Sequence, residues 1–326
     1  MAQPRGLLLF KAQVRPPISL FTSLAEAHML ALMPWQKITL VGVGLLGGSL
    51  GLAVRQRKLA ARVEGYVRRP EAVAEAVQLG VVDAATCDLA EAVGGADLVI
   101  FCTPIAQMRA LSERVAKAVS PGTIVTDVGS VKGTVVAELE PVFAAAGAIF
   151  IGSHPMAGGE RMGAVAARAD LFNNAVCVVT PSPQSPRAAV ARVEQFWQEL
   201  GSRVLRLTPD LHDEFVSRSS HLPHVIAAEL ANYVLSPALP KEQSVLCATG
   251  FRDTTRIASG SPEMWRDISM ANRRHLARVL GVFIEDLQEF QHALEHEDVR
   301  AIEEFFTKAK QRRDAWCGQG ASSSPE

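Results

Sequence analysis

No uninterrupted apolar run in this chain approaches the roughly 20 residues that a membrane-spanning helix needs, so the sequence argues for a soluble protein. Paired thiols are missing as well. The cysteines are Cys87, Cys102, Cys177, Cys247 and Cys317; no two form a C-x-x-C pair, and several lie in apolar runs where a thiol behaves as a small hydrophobe. This weighs against a structural zinc site and predicts a reducing, cytoplasmic setting. Nor is there an excess of charge. With 33 Lys+Arg against 34 Asp+Glu, the chain has no basic surplus for nucleic acid, and its expected partner is a small molecule. No internal repeat is evident.

A length of 326 residues favours two domains. Residues 1–36 carry Arg5, Lys11, Arg15 and the Pro16-Pro17 break but no strand leading into a motif. They also lack the compact layout of a signal peptide, so a disordered extension or a misassigned start, with Met33 opening the real domain, is expected. From residue 37 short β-branched runs alternate with amphipathic segments, the pattern of a parallel sheet covered by helices. Strands are predicted at 37–41, 62–67, 97–102, 123–126, 149–151, 175–180 and 203–207, with helices at 47–57, 71–79, 105–119, 131–146 and 187–201. Residues 37–207 thus read as a doubly wound, Rossmann-type α/β dinucleotide-binding domain.

Beyond residue 207 the strand signal stops and helical spacing takes over at 210–235, 241–257, 262–294 and 298–316. Ser261-Pro262-Glu263 sets a capping serine before a proline in the first turn. Residues 208–317 are therefore expected to be an all-helical domain. Its apolar helices exceed what one bundle of this length buries alone, which predicts a homodimer through them. Residues 318–326 read as a disordered tail.

The turn Gly42-Val43-Gly44-Leu45-Leu46-Gly47 follows a predicted strand and opens a helix, the context in which a glycine fingerprint binds a dinucleotide. Gly42 permits the tight turn, Gly44 lets the backbone approach a pyrophosphate, and Gly47 allows close packing of helix on strand. The helix N-terminus, from Leu45 and Leu46 onward, then offers N–H groups to the phosphates. An NAD site usually ends the second strand with an acid, but Val67 stands there, followed by Arg68 and Arg69. Guanidinium forks suit a 2′-phosphate, so NADP is the expected cofactor; NAD is the alternative, with Glu64 serving if the register is shifted. Thr103 and Pro104, which follow the 97–102 strand, join the expected cofactor set.

Four further segments combine polar residues beyond what packing requires. They are 126–132 (TDVGSVK), 152–160 (GSHPMAGGE), 219–224 (SSHLPH) and 250–256 (GFRDTTR). Together they resemble the prephenate and arogenate dehydrogenase family of tyrosine biosynthesis, over nearly everything from residue 37 to about 313. The resemblance implies an oxidative decarboxylation of a cyclohexadiene, with hydride passing to a nicotinamide as the ring becomes aromatic. Oxidising the carbinol needs a proton acceptor, and a neutral imidazole suits that work. By its motif His154 is that base, and Ser130 matches the serine that orients it and touches the cofactor or hydroxyl.

Arg256 matches the arginine that grips a substrate carboxylate, with Asp253 expected to steady it by an ion pair and Arg252 as a further basic residue. His224 matches a histidine of the substrate pocket, with His221 beside it. Glu160 falls where the family faces the substrate side chain; a carboxylate there suits the ammonium of arogenate, but it equally suits a helix N-terminus. Trp265 is read as core packing rather than substrate contact.

Other readings of the same residues remain. The His221-x-x-His224 pair lacks the third ligand a zinc site needs. Lys132 is the candidate of a rival lysine-dependent hydroxy-acid or imino-acid dehydrogenase, and a non-catalytic NADP-binding module is a rival of another class. A proton acceptor is more than such a module needs. The chain leaves no room for the regulatory or mutase domains of some relatives, so tyrosine feedback is expected to act at the active site or subunit interface.

Overall fold

The computed structural model describes residues 34–159 and 161–321. The expected extension therefore lies mostly outside the described residues, as does Glu160. The first half is built from β1 (Trp35–Val41), α1 (Leu45–Gln56), β2 (Ala60–Tyr66), α2 (Glu71–Gln78), β3 (Ala84–Thr86), α3 (Leu89–Val93), β4 (Leu98–Phe101), α4 (Ile105–Val115), β5 (Ile124–Asp127), α5 (Gly133–Ala145), β6 (Ile149–Phe150), β7 (Gly152–Pro155), β8 (Val176–Thr180), α6 (Arg187–Glu199) and β9 (Arg203–Arg206). Six strands form one parallel sheet in the order β3-β2-β1-β4-β5-β6. Alternate residues of β1 and β4 serve opposite faces. Ile38, Leu40, Leu98 and Ile100 join one buried cluster with α1 and α6, while Val41, Val99 and Phe101 join another with Met108 and Phe143.

The boundaries differ from expectation in instructive places. Trp35, assigned to the extension, opens β1: its indole is buried edge-on against Phe196, with the Arg192 guanidinium 4.0 Å above the ring. Two small elements, β3 and α3, were not anticipated. Ala-Ala-Thr has little strand propensity, and the short helix is started by Asp88, whose carboxylate accepts hydrogen bonds from Ala90 and Glu91.

The larger correction concerns the sheet. The strands at 175–180 and 203–207 do not continue the parallel sheet but form a second one, ordered β7-β8-β9, with β7 antiparallel to β8. The chain leaves β6 at Ile151, whose N–H still bonds Val125, and turns at Gly152 into β7. A Cβ on Gly152 would stand 2.6 Å from Thr180 Oγ1 and 2.8 Å from Val136 Cγ2, so the corner needs glycine. This switch of sheets delivers His154 next to the end of β5.

The second half comprises α7 (Pro209–Val216), a π-helical turn (Ser217–His221), α8 (Leu222–Val234), α9 (Glu242–Val245), α10 (Thr249–Thr255), a 3-10 turn (Arg256–Ser259), α11 (Pro262–Ala271), α12 (Arg273–Glu295) and α13 (Val299–Ala321). Thr208 caps α7, the first helix after β9. Pro223 has no N–H to return to the Ser219 carbonyl, which accounts for the π turn just before it. The last helix reaches Ala321, so residues 318–321 belong to it rather than to a tail. Among the described residues no helix is long and apolar enough to cross a membrane.

Replacing Gly152 with alanine should destabilise the protein by about 1–3 kcal/mol through overpacking at this corner. Urea unfolding of Gly152→Ala against the parent checks it; equal midpoints would show that the corner can relax.

Candidate active site

The glycine turn sits where β1 parts its neighbours, with β2 on one side and β4 on the other, which is the switch point at which open α/β sheets bind ligands. Gly42 has φ +101°, and a Cβ there would press on Thr103 and on the Cys102 carbonyl at 3.0–3.1 Å. A Cβ on Gly47 would collide with the Gly42 carbonyl, whereas one on Gly44 would meet nothing within 4 Å. No side chain caps the first turn of α1, where Leu45 and Leu46 lie half-buried. The Thr103 hydroxyl is buried with no partner. Open space at Gly44, uncapped N–H groups and an orphaned hydroxyl fit a dinucleotide pyrophosphate lying across the turn. Pro104 is exposed beside it, and Arg68 and Arg69 are exposed just past β2. Glu64 is elsewhere engaged: buried in β2, it pairs with Lys37 at 2.6 Å, which removes it as a ribose ligand.

A second, buried polar assembly lies where β5, β7 and α7 meet. Lys132, fully buried, is ion-paired to Asp127 and donates to the Ser153 carbonyl at 2.8 Å. Asp127 in turn accepts from Ser153 N–H (3.1 Å) and Gly129 N–H (2.8 Å). The Ser153 hydroxyl donates to the Asp127 carbonyl and lies within 3.1 Å of both Thr126 Oγ1 and Trp197 Nε1. Every polar atom of Ser153 is thereby occupied, and the next residue, His154, is fixed in place.

The imidazole of His154 meets His212 Nε2 through Nδ1 at 2.8 Å, and His212 Nδ1 meets Asp213 Oδ1 at 2.8 Å. Burial holds His154 well below the ordinary histidine value, and the neighbouring His212, Lys132 and His221 push the same way. Burial also lowers His212, against the pull of its hydrogen bond to Asp213. Further along the helical domain His221 is buried, with Nδ1 3.1 Å from Asn272 Nδ2 and the Ser130 backbone beside its ring; burial lowers it to about 4. The π turn sets His224 next, where its Nδ1 donates to the Ser220 carbonyl at 2.9 Å and its ring stacks on Trp265 at 3.6 Å. The charge of Arg256 is felt at His224. An arc of groups from both halves thus runs from His154 through His221 and His224 to Arg256.

Comparisons with known proteins identify the family. Residues 50–206 match the family described as "Prephenate dehydrogenase, nucleotide-binding domain", and residues 208–308 match "Prephenate dehydrogenase, dimerization domain". The chain belongs to the prephenate dehydrogenase family. It is 33% identical over 283 residues to the prephenate dehydrogenase of Bacillus subtilis strain 168, covering 85% of this chain and 75% of that protein. It is 32% identical over 281 residues to the cyclohexadienyl dehydrogenase of Zymomonas mobilis, covering 86% and 95%. The crystal structure of the A. aeolicus prephenate dehydrogenase with hydroxyphenyl propionate and NAD+ superposes with a TM-score of 0.81 at 29% identity, covering 86% of this chain and 98% of that one.

Within this oxidoreductase family frame, several expected site residues take new roles. Ser130, half-buried before α5, makes no hydrogen bond to His154, whose Nδ1 goes to His212 instead. Asp253 makes no salt bridge to Arg256 among the described residues; it lies on α10, and Arg256 begins the 3-10 turn that follows. Arg252 and Asp253 both lie exposed on α10. Trp265 is not core but half-buried against His224. Lys132 is fully committed to Asp127 and Ser153, which leaves no role for it as a catalytic lysine.

The residues missed by sequence reasoning are His212 and Asp213. Embedded as Leu211-His212-Asp213-Glu214 in a helical stretch, they read as a polar helix face, and only the fold shows both buried. Removing the Lys132 ammonium would strand a buried carboxylate, so Lys132→Met should cost about 3–5 kcal/mol. Chemical denaturation measures this; a loss below about 1 kcal/mol would mean that the pair is not a structural clamp.

Proposed function

We propose that this chain is a prephenate dehydrogenase that converts prephenate to 4-hydroxyphenylpyruvate with NADP as preferred cofactor. The observation that carries the reading is His154: its Nδ1 is tied to His212, while no described residue occupies Nε2, and the ring begins an arc that ends in a guanidinium. Prephenate offers a ring hydroxyl to the first and a carboxylate to the second. Gly42, Gly44, Leu45, Leu46, Gly47, Thr103 and Pro104 would hold the dinucleotide, whose contribution when bound is a hydride acceptor.

The proton bookkeeping follows from the chemistry. The carbinol carbon loses hydride, the ring carboxylate leaves as carbon dioxide, and the electron pair of that C–C bond completes the aromatic ring. The oxygen is retained as a phenol. His154 Nε2 therefore takes the hydroxyl proton as hydride departs and returns it to the same oxygen, with no net change. Arg256 holds a carboxylate at the rim, His224 and His221 line the path between, and Ser130 lies on the loop that faces the hydroxyl or cofactor. Arogenate is the second reading, favoured by the likeness to a cyclohexadienyl dehydrogenase. The exposed apolar side chains of α12 and α13, among them Val282, Leu287, Leu294 and Phe306, support a homodimer through these helices.

Purified protein should form reduced cofactor with prephenate, and His154→Asn should lower kcat about 10²–10⁴-fold while cofactor still binds. Full turnover in that variant would remove His154 as the base. Because its folded pKa is depressed, the imidazole stays neutral as pH falls through 6.5, so the acid limb of kcat/KM should lie below the usual histidine range. Steady-state rates across pH check this.

Arg68 and Arg69 carry the cofactor preference in this reading. Replacing both with alanine should raise KM for NADP at least about tenfold, the loss of one or two charge-assisted hydrogen bonds, and leave NAD nearly unchanged. Specificity constants for both cofactors with both substrates decide it; a parent enzyme that prefers NAD would sink the arginine argument.

A further inference from the structure

We infer that His212 and Asp213 are positioning residues that set the tautomer of His154, and that the run Asp213–His212–His154 is a one-directional hydrogen-bond relay ending on a bare Nε2. The inference rests on His154 being the base and goes beyond it by naming what makes it one.

The direction is forced from the carboxylate outward. Asp213 is already an acceptor from the other half of the molecule: its Oδ1 takes the Lys132 N–H at 2.7 Å and its Oδ2 the Gly133 N–H at 2.8 Å. A carboxylate so used at the start of α5 is ionised and can only accept, so His212 Nδ1, 2.8 Å from Oδ1, must carry the hydrogen. His212 has no solvent exposure and stands near the Lys132 cation, and burial lowers its pKa. A neutral His212 with hydrogen on Nδ1 has a bare Nε2. The 2.8 Å contact to His154 then needs its hydrogen from His154 Nδ1, and a neutral His154 is left with its lone pair on Nε2. If His212 were protonated the polarity would invert, and His154 Nε2 would carry hydrogen and be useless as an acceptor.

During turnover the substrate O–H bond breaks and the Nε2–H bond forms. His154 becomes an imidazolium whose Nδ1–H still points at His212 Nε2. His212 stays neutral and Asp213 stays ionised, so the relay stabilises the transient charge without moving a second proton. When the ring aromatises, the Nε2 proton goes back to the oxygen. The charged and titratable groups around the two imidazoles are Lys132, Asp127, Asp213, His221 and Cys177. Burial pushes the Cys177 thiol well up, so it stays protonated and does not compete as a proton acceptor.

The decisive measurement is nitrogen-15 NMR of the imidazoles in the wild-type full-length protein without cofactor or substrate. Hydrogen on Nδ1 of both His154 and His212 is expected at neutral pH; hydrogen on Nε2 of His154 overturns the relay with no variant needed. His212→Phe, which removes the acceptor, should mix the His154 tautomers and lower kcat about 10–100-fold with KM little changed. His212→Gln, whose amide oxygen can still accept from Nδ1, should restore most of both. A His154 signal and a kcat unaffected in His212→Phe would overturn the proposal. Full turnover in His154→Asn would instead refute the base assignment and leave the tautomer result standing, so the two failures are distinguishable.

Discussion

The buried ion pair between Lys132 and Asp127 is the constraint on which the active centre rests. Two charges taken out of water are a poor source of stability unless every remaining donor and acceptor finds a partner. Here both charges hold one backbone segment: Asp127 takes the Ser153 N–H and Lys132 the Ser153 carbonyl. The serine hydroxyl is bound as well, to the Asp127 carbonyl. Such a network restrains the residue next to it. The neighbour is His154, so the pair fixes the backbone that carries this imidazole.

The same economy recurs across the junction of the two halves. Asp213 belongs to α7 in the helical half, yet its carboxylate accepts the first N–H groups of α5 in the nucleotide-binding half. A Cβ on Gly133 would lie 2.8 Å from Asp213 Oδ2, so glycine at that position is what lets the carboxylate reach the helix end. From the other side Asn272 donates to the Asp213 carbonyl at 2.9 Å and stands beside His221. One residue thus ties the halves together and holds the ring of His212.

What could be read from the sequence and what could not divide along physical lines. The glycine turn was legible because backbone sterics dictate it: Gly42 at positive φ and Gly47 against a carbonyl admit no other residue. The sheet and the helical half were legible through their periods. The change of sheet at Gly152 was not, because Gly-Ser-His-Pro has the composition of a loop, and its strand pairing is visible only once β8 lies beside it. His212 and Asp213 escaped for a related reason. A polar dipeptide in an amphipathic helix looks solvated until a partner buries it, and that partner is more than fifty residues away in the chain. Trp265 misled in the opposite sense, since an aromatic at helical spacing suggests core, whereas this one is spent on His224.

Electrostatically the site separates two tasks that would conflict if they shared a location. In the proposed reaction an anionic substrate is attracted by fixed positive charge, and the proton acceptor must stay neutral, which nearby positive charge favours but a nearby carboxylate opposes. The guanidinium of Arg256 lies at the exposed end of the arc, where solvent moderates its field. The imidazole of His154 lies at the buried end, where desolvation and the Lys132 cation both disfavour a second positive charge. A dianion docking at the rim would raise the pKa of a base beside it; distance along the arc, with His221 and His224 kept neutral between, limits that rise. In the proposed reaction this keeps the acceptor neutral before the substrate arrives, so binding at the rim need not deprotonate the ring.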